Sequence, residues 1–203
     1  MTAAAIILAA GTSSRTAPFH KLLAQDREGC PMLLRTVREV MKSQAGQIIV
    51  ILGPENTPET SELKALLLPF RNHRFSIVHA PHEQRSLSAS LRLGVFHATP
   101  LLVSCLLVVL ADMPLVTAEI MDQMIEQHAL ERADSVTPFC NGQKGNPVLW
   151  DRTLFPDLMA LNGDKGARDL LKRHDLQHRQ IDAGPEVLTD FDTPDRLELF
   201  RTL

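Results

Sequence analysis

The stretch AAIILAAGTSSR, residues 4–15, decides the fold prediction for this chain. It opens with an uncharged apolar run, which is typical of a strand buried on both faces of a parallel sheet. Gly11 and three hydroxyl residues follow, then Arg15 and, further on, Lys21. A buried strand that enters a tight turn brings backbone N–H groups close to a ligand, and nearby cations add charge. The pattern therefore predicts an anion-binding loop after the first strand.

This loop differs from the two common phosphate-binding designs. The chain contains no G-x-x-x-x-G-K-[ST], and no G-x-G-x-x-G follows the first strand. The alternative is an ordinary strand-to-helix turn with surface cations, since Gly and Ser are frequent in turns. Two cations close behind a glycine-serine turn favour the anion-binding interpretation.

Length and composition limit the classes of protein to which this chain can belong. A chain of 203 residues predicts a single domain over residues 1–203, with 44% hydrophobic and 22% charged residues, as in soluble globular proteins. The formal net charge of −3 argues against a general nucleic-acid binder, so any phosphate-binding charge must be local.

Cysteine usage and apolar runs predict the cellular setting. Cys30, Cys105 and Cys140 are odd in number and widely spaced, and no C-x-x-C occurs, which favours a reducing compartment without a disulfide framework. The apolar runs near the N-terminus and at residues 101–110 are too short to span a membrane. We therefore expect a cytoplasmic protein that binds neither membrane nor nucleic acid.

Strand-like and helix-like segments alternate along the chain. Strands are predicted at residues 4–8, 47–52, 75–79, 105–110, 135–138, 148–150 and 180–182. Helices are predicted at residues 32–42, 60–70, 87–98, 118–130 and 164–174, and a last helix begins after an N-cap at Thr193. This alternation predicts an α/β fold with a mostly parallel sheet covered on both faces. In such sheets, ligands bind beyond the carboxyl ends of the strands.

Carboxylates follow two of the predicted extended segments. Asp112 ends an apolar, central strand, where Mg²⁺ would compensate its charge, although it could instead cap the next helix. Asp190 and Asp192 precede the last helix, and alternation along an extended segment puts both on one side. One of them could join Asp112 at a metal, while compensation of the helix dipole would explain at least one of them.

Three polar segments add weaker signals. Residues 86–91, SLSASL, open a helix and could hold an anion or a base edge, or simply cap that helix. Residues 142–147, GQKGNP, form a flexible loop with one cation, for which a hairpin or surface loop is at least as good an interpretation. Residues 163–168, GDKGAR, could contact a second anionic substrate or only initiate a helix.

Together these segments resemble the MobA-like nucleotidyltransferase family, and more closely its molybdenum cofactor cytidylyltransferase branch. The motifs occur in the family's order over nearly the whole chain: LAAGTSSR at 8–15 with KLL at 21–23, SASL at 88–91, ADMPLV at 111–116, GNPV at 145–148, GDKGAR at 163–168 and DFDTP at 190–194. Each motif alone is weak, whereas the ordered set is specific.

The resemblance implies a Rossmann-like three-layer fold and transfer of CMP from CTP to molybdopterin cofactor, with release of pyrophosphate. It implies that Lys21 and Arg15 neutralise the triphosphate and that Asp112 and Asp192 ligate Mg²⁺; Asp190 stays open as the second ligand. The implied nucleotide-binding residues also include Leu8, Ala9, Ala10, Gly11, Ser13, Ser14, Ser88 and Ser90. The implied acceptor-binding residues are Gly145, Asn146, Pro147, Lys165 and Arg168.

The chain departs from the family pattern at three places. Thr16-Ala17 stands where the family usually has Met-Gly, and Ser86 stands where it often has Gly. Ala10 stands where the guanylyl-transferring branch usually has a second glycine, and its methyl group would narrow the pocket in favour of a pyrimidine.

The same motifs leave other functions open. Rival interpretations are a transferase that uses another NTP or another acceptor, such as a sugar phosphate or phospholactate, and a non-catalytic protein that carries the cofactor. Retention of both Asp112 and Asp192 argues against the non-catalytic rival. A molybdoenzyme or its chaperone is the expected protein partner.

Overall fold

The computed structural model describes residues 2–16, 19–82, 86–163 and 167–203. The strands are β1 (Ala3–Ala9), β2 (Gln47–Leu52), β3 (Phe75–His79), β4 (Cys105–Leu110), β5 (Ser135–Cys140), β6 (Gln143–Lys144), β7 (Val148–Asp151) and β8 (His178–Asp182). The α-helices are α1 (Met32–Lys42), α2 (Pro58–Leu67), α3 (Leu87–Ala98), α4 (Ala118–Glu131), α5 (Phe155–Met159) and α6 (Pro194–Arg201).

The strands form one sheet in the order β3-β2-β1-β4-β7-β5-β6, and β8 pairs with β5. Strands β3, β2, β1 and β4 are mutually parallel, so the predicted parallel sheet is confirmed. β7 runs antiparallel to β4 and pairs Val148 with Val108. Because of this direction, β7 begins at the edge where β1 and β4 end, and the segment before it reaches the same edge.

Strand β1 lies between β2 and β4 and is buried along its whole length. Its alternate residues enter two separate apolar clusters: Ala5 and Ile7 pack in one, and Ala4 and Ile6 in the other. The first cluster includes residues of α1, α2, α4 and α6, and the second includes residues of α3 and α5. The result is a sheet between two helical layers, which confirms the predicted α/β sandwich.

Helix α3 packs unusually close to β1. A Cβ built on Gly94 would lie 2.8 Å from the Cδ1 atom of Ile6, so a larger residue would push the helix off the strand. This contact holds the C-terminal half of α3 against the middle of β1.

Most predicted elements are present, and several have the predicted bounds. α1, β2, β3, α3 and β4 begin and end where the periodicity places them. Thr193 caps α6 as expected, since its Oγ1 accepts a hydrogen bond from the Arg196 N–H at 3.4 Å. On α1, Met32 and Thr36 are buried, whereas Leu34 and Met41 are half-buried.

Two segments differ from expectation. The prediction of a helix at residues 164–174 was wrong for the described residues 167–174, where only a 3₁₀ turn at Leu170–Lys172 forms. The hairpin alternative for the glycine-rich loop is confirmed at its start, because Cys140 pairs with Gln143 across Asn141 and Gly142. Both turn residues, Asn141 and Gly142, have positive φ, as a type I′ two-residue hairpin turn requires.

Cys30, Cys105 and Cys140 are free thiols, as predicted. No helix in the described ranges is both long and apolar enough to cross a membrane.

Candidate active site

A cavity of about 230 Å³ opens at the carboxyl edge of the sheet, between the ends of β1 and β4 and the start of α3. Its lining consists of Leu8, Ala9, Ala10, Gly11, Lys21, Leu22, Leu87, Ser90, Leu110, Ala111 and Asp112. The cavity therefore joins three segments that are far apart in the chain and that the sequence analysis assigned to nucleotide binding.

The loop after β1 holds its shape through a buried threonine. Ser13 has a φ of 51°, a left-handed conformation that few non-glycine residues adopt. The Thr16 hydroxyl lies 3.0 Å from the carbonyl oxygens of both Ser13 and Phe19, and Thr16 is buried. Thr16, one of the departures from the family pattern, thus ties the two sides of the loop together.

The second half of this loop places Lys21. Its backbone N–H donates to the Ser13 Oγ at 3.3 Å, and the neighbouring Leu22 is buried in the apolar core. These two anchors point the lysine side chain back toward the end of β4. Only its ammonium group is left to meet a ligand or a carboxylate.

Two ion pairs connect the first loop to the predicted metal ligands. The Lys21 Nζ lies 2.5 Å from the Asp112 Oδ2, with side chains 16% and 18% exposed. Arg15, which is 73% exposed, pairs with Asp192, which is 21% exposed. Each predicted phosphate-binding cation is therefore paired with one predicted metal-binding carboxylate.

A backbone hydrogen bond brings the two aspartate segments together. The Phe191 N–H donates to the Asp112 carbonyl oxygen at 3.0 Å, although the residues are far apart in sequence. Asp190 is engaged elsewhere, because the Arg196 Nη1 on α6 lies 2.5 Å from its Oδ1. Of the two candidates for the second carboxylate, Asp192 is the one that pairs with the first loop.

The donor set suits a hard divalent cation. Carboxylate oxygens are what Mg²⁺ prefers, and it commonly uses one or two of them together with phosphate oxygens and water. Within the described ranges, no group of three or more His, Cys, Asp and Glu side chains could hold a metal. Asp112 and Asp192 therefore fit a metal that arrives with phosphate oxygens better than one enclosed by protein ligands.

The two predicted serines of α3 have different surroundings. Ser90 is buried and lines the cavity. Ser88 does not line it, because its hydroxyl donates to the carbonyl oxygen of Gly163. This contact anchors the 160s segment, and the assignment of Ser88 to nucleotide binding stays a prediction. Ser86 caps α3 by accepting a hydrogen bond from the Ala89 N–H at 3.2 Å.

A second, narrower cavity of about 80 Å³ adjoins the first across shared leucine side chains. Its lining is Leu8, Leu87, Leu91, Val108, Leu110, Asn146, Val148, Trp150, Ala167, Arg168 and Leu171. Most of these residues are apolar, and Asn146 and Arg168 supply the polar groups. Both of these polar residues are predicted acceptor-binding residues.

The backbone before β7 is packed tightly beside this second cavity. A Cβ on Gly145 would lie 2.5 Å from the Val187 carbonyl oxygen, so only glycine fits there. The Asn146 N–H donates to the same oxygen at 2.9 Å. Pro147 follows through a cis peptide bond and is buried. Lys165 and the side chain of Ser14 lie outside the described residues.

The sequence analysis missed several lining residues. Leu87 borders both cavities, and Trp150 lines the second. Leu87 is the first residue of α3 and is 41% exposed. Its position between Ser86 and Ser88 was the only feature of the sequence that could have indicated a place beside the site.

Comparison with known proteins agrees with this arrangement. A family model described as MobA-like NTP transferase domain matches residues 5–179. The chain is 25% identical over 204 residues to the purine catabolism protein PucB of Bacillus subtilis (strain 168), covering 97% of this chain and 94% of PucB.

Solved structures with the same fold extend over the whole chain. Rv0371c from Mycobacterium tuberculosis H37Rv has a TM-score of 0.83 at 23% identity, covering 99% of this chain and 97% of that one. Its complex with manganese has a TM-score of 0.79 at 23% identity, covering 99% and 98%. A nucleotidyl transferase from Methanothermobacter has a TM-score of 0.80 at 21% identity, covering 98% and 96%.

Proposed function

We propose a specific reaction for this chain, which belongs to the MobA-like NTP transferase domain family: transfer of CMP from CTP to a molybdopterin-type cofactor, with release of pyrophosphate. Nucleotidyl transfer follows from the family. The base, the acceptor, the metal and the residue roles are the proposal. The observation that carries it is the pairing of Lys21 with Asp112 and of Arg15 with Asp192 beside the larger cavity.

The reaction needs charge neutralisation and positioning more than a covalent nucleophile. A terminal phosphate oxygen of the acceptor bonds to the α-phosphorus of CTP, and the bond from that phosphorus to the bridging oxygen breaks. The electron pair leaves with pyrophosphate. Because the attacking phosphate is already anionic, no general base is required. Lys21 and Arg15 would bind the triphosphate and hold its negative charge.

Asp112 and Asp192 would hold Mg²⁺ at this site. When bound, a divalent cation neutralises phosphate charge and polarises the phosphoryl group that is attacked. The manganese complex of the structurally similar Rv0371c supports a divalent ion in this fold. Both carboxylates are paired with cations in the described structure, so binding of nucleotide and metal would exchange these ion pairs for phosphate and metal contacts.

The second cavity supports a ring-containing acceptor. Its apolar lining would receive the edge of a flat heterocycle, while Arg168 and Asn146 would contact anionic or polar groups at its mouth. A polyhydroxylated sugar phosphate would leave hydroxyl groups unpaired against leucine and valine side chains, which is unfavourable. This chemistry favours molybdopterin over the sugar phosphate and phospholactate alternatives.

Pyrophosphate release tests the proposal directly. CTP, GTP, ATP and UTP are each supplied with and without molybdopterin and with Mg²⁺ or EDTA. We expect release to require both molybdopterin and the divalent ion, and kcat/KM to be highest for CTP. Turnover with a sugar phosphate in place of molybdopterin would contradict the acceptor. Absence of release with every NTP would favour the non-catalytic carrier instead.

Ala10 provides a test of base selection. Ala10 is buried, and it lines the larger cavity where a nucleobase would enter. Replacing it by glycine removes a methyl group, and we expect the preference for CTP over GTP, measured as the ratio of kcat/KM values, to fall by about tenfold. The matched control is Ala98→Gly, at the far end of α3, which removes the same methyl group away from the cavity. If Ala10→Gly left the preference for CTP over GTP unchanged, the Ala10 methyl group would not be the cause of base selection.

A further inference from the structure

One buried hydroxyl group of α1 is directed at the site loop. Thr36 is 2% exposed and lies on the buried face of the helix among Met32, Leu33, Val37 and Val40. A polar residue on such a face needs a hydrogen-bond partner, because burying an unpaired hydroxyl is costly. The identity of this hydrogen-bond partner indicates what Thr36 contributes besides packing.

The partner lies outside the helix. A threonine within a helix commonly bonds back to the carbonyl four residues earlier. Here the Thr36 Oγ1 lies 3.5 Å from that carbonyl, of Met32, but 3.0 Å from the carbonyl oxygen of Ala111. The hydroxyl has one proton to donate, and the shorter of the two contacts is to the carbonyl oxygen of Ala111, the residue immediately before Asp112.

This bond completes the support of the Asp112 loop. The Ala111 N–H donates to the Leu8 carbonyl oxygen at 3.2 Å, and the Asp112 carbonyl oxygen accepts from the Phe191 N–H at 3.0 Å. These two contacts are backbone to backbone, while Thr36 contributes a side chain. Three successive peptide units around Ala111 and Asp112 are therefore held from β1, from α1 and from the segment before α6, and the middle one is held by Thr36.

We propose that Thr36 is a positioning residue for the nucleotidyl transfer reaction, which sets the direction of the Asp112 carboxylate through the Ala111 carbonyl. The inference rests on the proposed role of Asp112 as a metal ligand. Without the hydroxyl, the Ala111 carbonyl loses a buried partner and the peptide unit can rotate. Outer partners of metal ligands typically affect metal affinity or activity by about 10- to 100-fold.

The test compares Thr36→Val, which keeps the shape and loses the hydroxyl, with Thr36→Ser, which keeps the hydroxyl. Mn²⁺ binding is measured by electron paramagnetic resonance with α,β-methylene-CTP present, and kcat and KM are measured for CTP. For Thr36→Val we expect a Mn²⁺ dissociation constant raised by about tenfold or more and a kcat lowered similarly, with KM for CTP within about threefold. Thr36→Ser restores both values.

Two reference variants make the outcomes distinct. Thr99→Val removes a hydroxyl that donates to the Val95 carbonyl at 2.8 Å, far from the site, and retains wild-type values. Asp112→Asn defines the loss of the metal site. If the wild type binds no Mn²⁺ with the analogue, the proposed function fails. If the wild type binds Mn²⁺ and Thr36→Val binds it equally, or if Thr36→Ser is as impaired as Thr36→Val, the role of Thr36 is overturned.

Discussion

Asp112→Asn is expected to lower kcat for CTP-dependent pyrophosphate release by about a thousandfold without unfolding the protein. A metal ion at a phosphoryl centre contributes several kcal/mol of transition-state stabilisation, and each 1.36 kcal/mol corresponds to a factor of about ten. The amide keeps the volume of the side chain and can still accept a hydrogen bond from Lys21, which lies 2.5 Å away. The loss would therefore come from charge and metal ligation rather than from packing.

The measurement is steady-state pyrophosphate release at saturating Mg²⁺, together with a circular dichroism melt. Asp122→Asn is the matched control, because Asp122 on α4 accepts from the Gln44 N–H at 2.7 Å, away from the cavity. Asp192→Asn should resemble Asp112→Asn, whereas Asp190→Asn should retain activity because Asp190 is paired with Arg196. Full activity in Asp112→Asn would refute the assignment of Asp112 as a metal ligand. If Asp190→Asn were inactive and Asp192→Asn active, Asp190 would be the second ligand.

Lys21→Ala is expected to have opposite effects on turnover and on metal binding in the absence of nucleotide. Turnover should fall by about 100-fold or more, since a preorganised charge on the transferring phosphate is lost. Mn²⁺ affinity of the nucleotide-free protein should rise, because Lys21 otherwise neutralises Asp112 and competes with the cation. Steady-state pyrophosphate release measures the effect on turnover, and titration calorimetry with Mn²⁺ alone measures the effect on metal binding.

Lys64→Ala is the matched control for this variant. Lys64 on α2 pairs with Glu55, which precedes that helix, so its loss removes the same kind of ion pair away from the site. Both Mn²⁺ affinity and turnover should stay at wild-type values there. A Lys21→Ala protein with normal kcat/KM for CTP would exclude Lys21 from triphosphate binding.

Local pattern was sufficient to predict the frame of this fold. The period of α1 and the uniform apolarity of β4 are properties of contiguous residues, so both elements were located to the residue. The same holds for the Thr193 cap, whose partner is only three residues away. Prediction succeeded where the stabilising contacts are close in sequence.

Contacts between distant segments could not be predicted in the same way. Nothing in SLSASL indicates that Ser88 bonds to Gly163 while Ser90 borders the cavity, because the difference depends on how α3 packs against the 160s segment. The pairing of Asp192 with Arg15 and of Asp190 with Arg196 likewise depends on arginines that are themselves placed by different elements. The short strand β7 has no pattern that specifies its direction, although that direction brings Asn146 to the site.

Because β7 runs antiparallel to β4, the residues around the two cavities differ in how well they tolerate substitution. The larger cavity, proposed to bind the nucleotide, is lined in part by the ends of β1 and β4, whose residues are fixed on both sides by neighbouring strands and helices. The Asn146 wall follows a hairpin, Ser135–Cys140 with Gln143–Lys144, that turns at an exposed Asn-Gly. Exposed loop tips tolerate substitution and insertion far better than buried strands. Under the proposed assignment of the second cavity to the acceptor, rebuilding this hairpin would change the acceptor that is used and leave the proposed nucleotide site as it is.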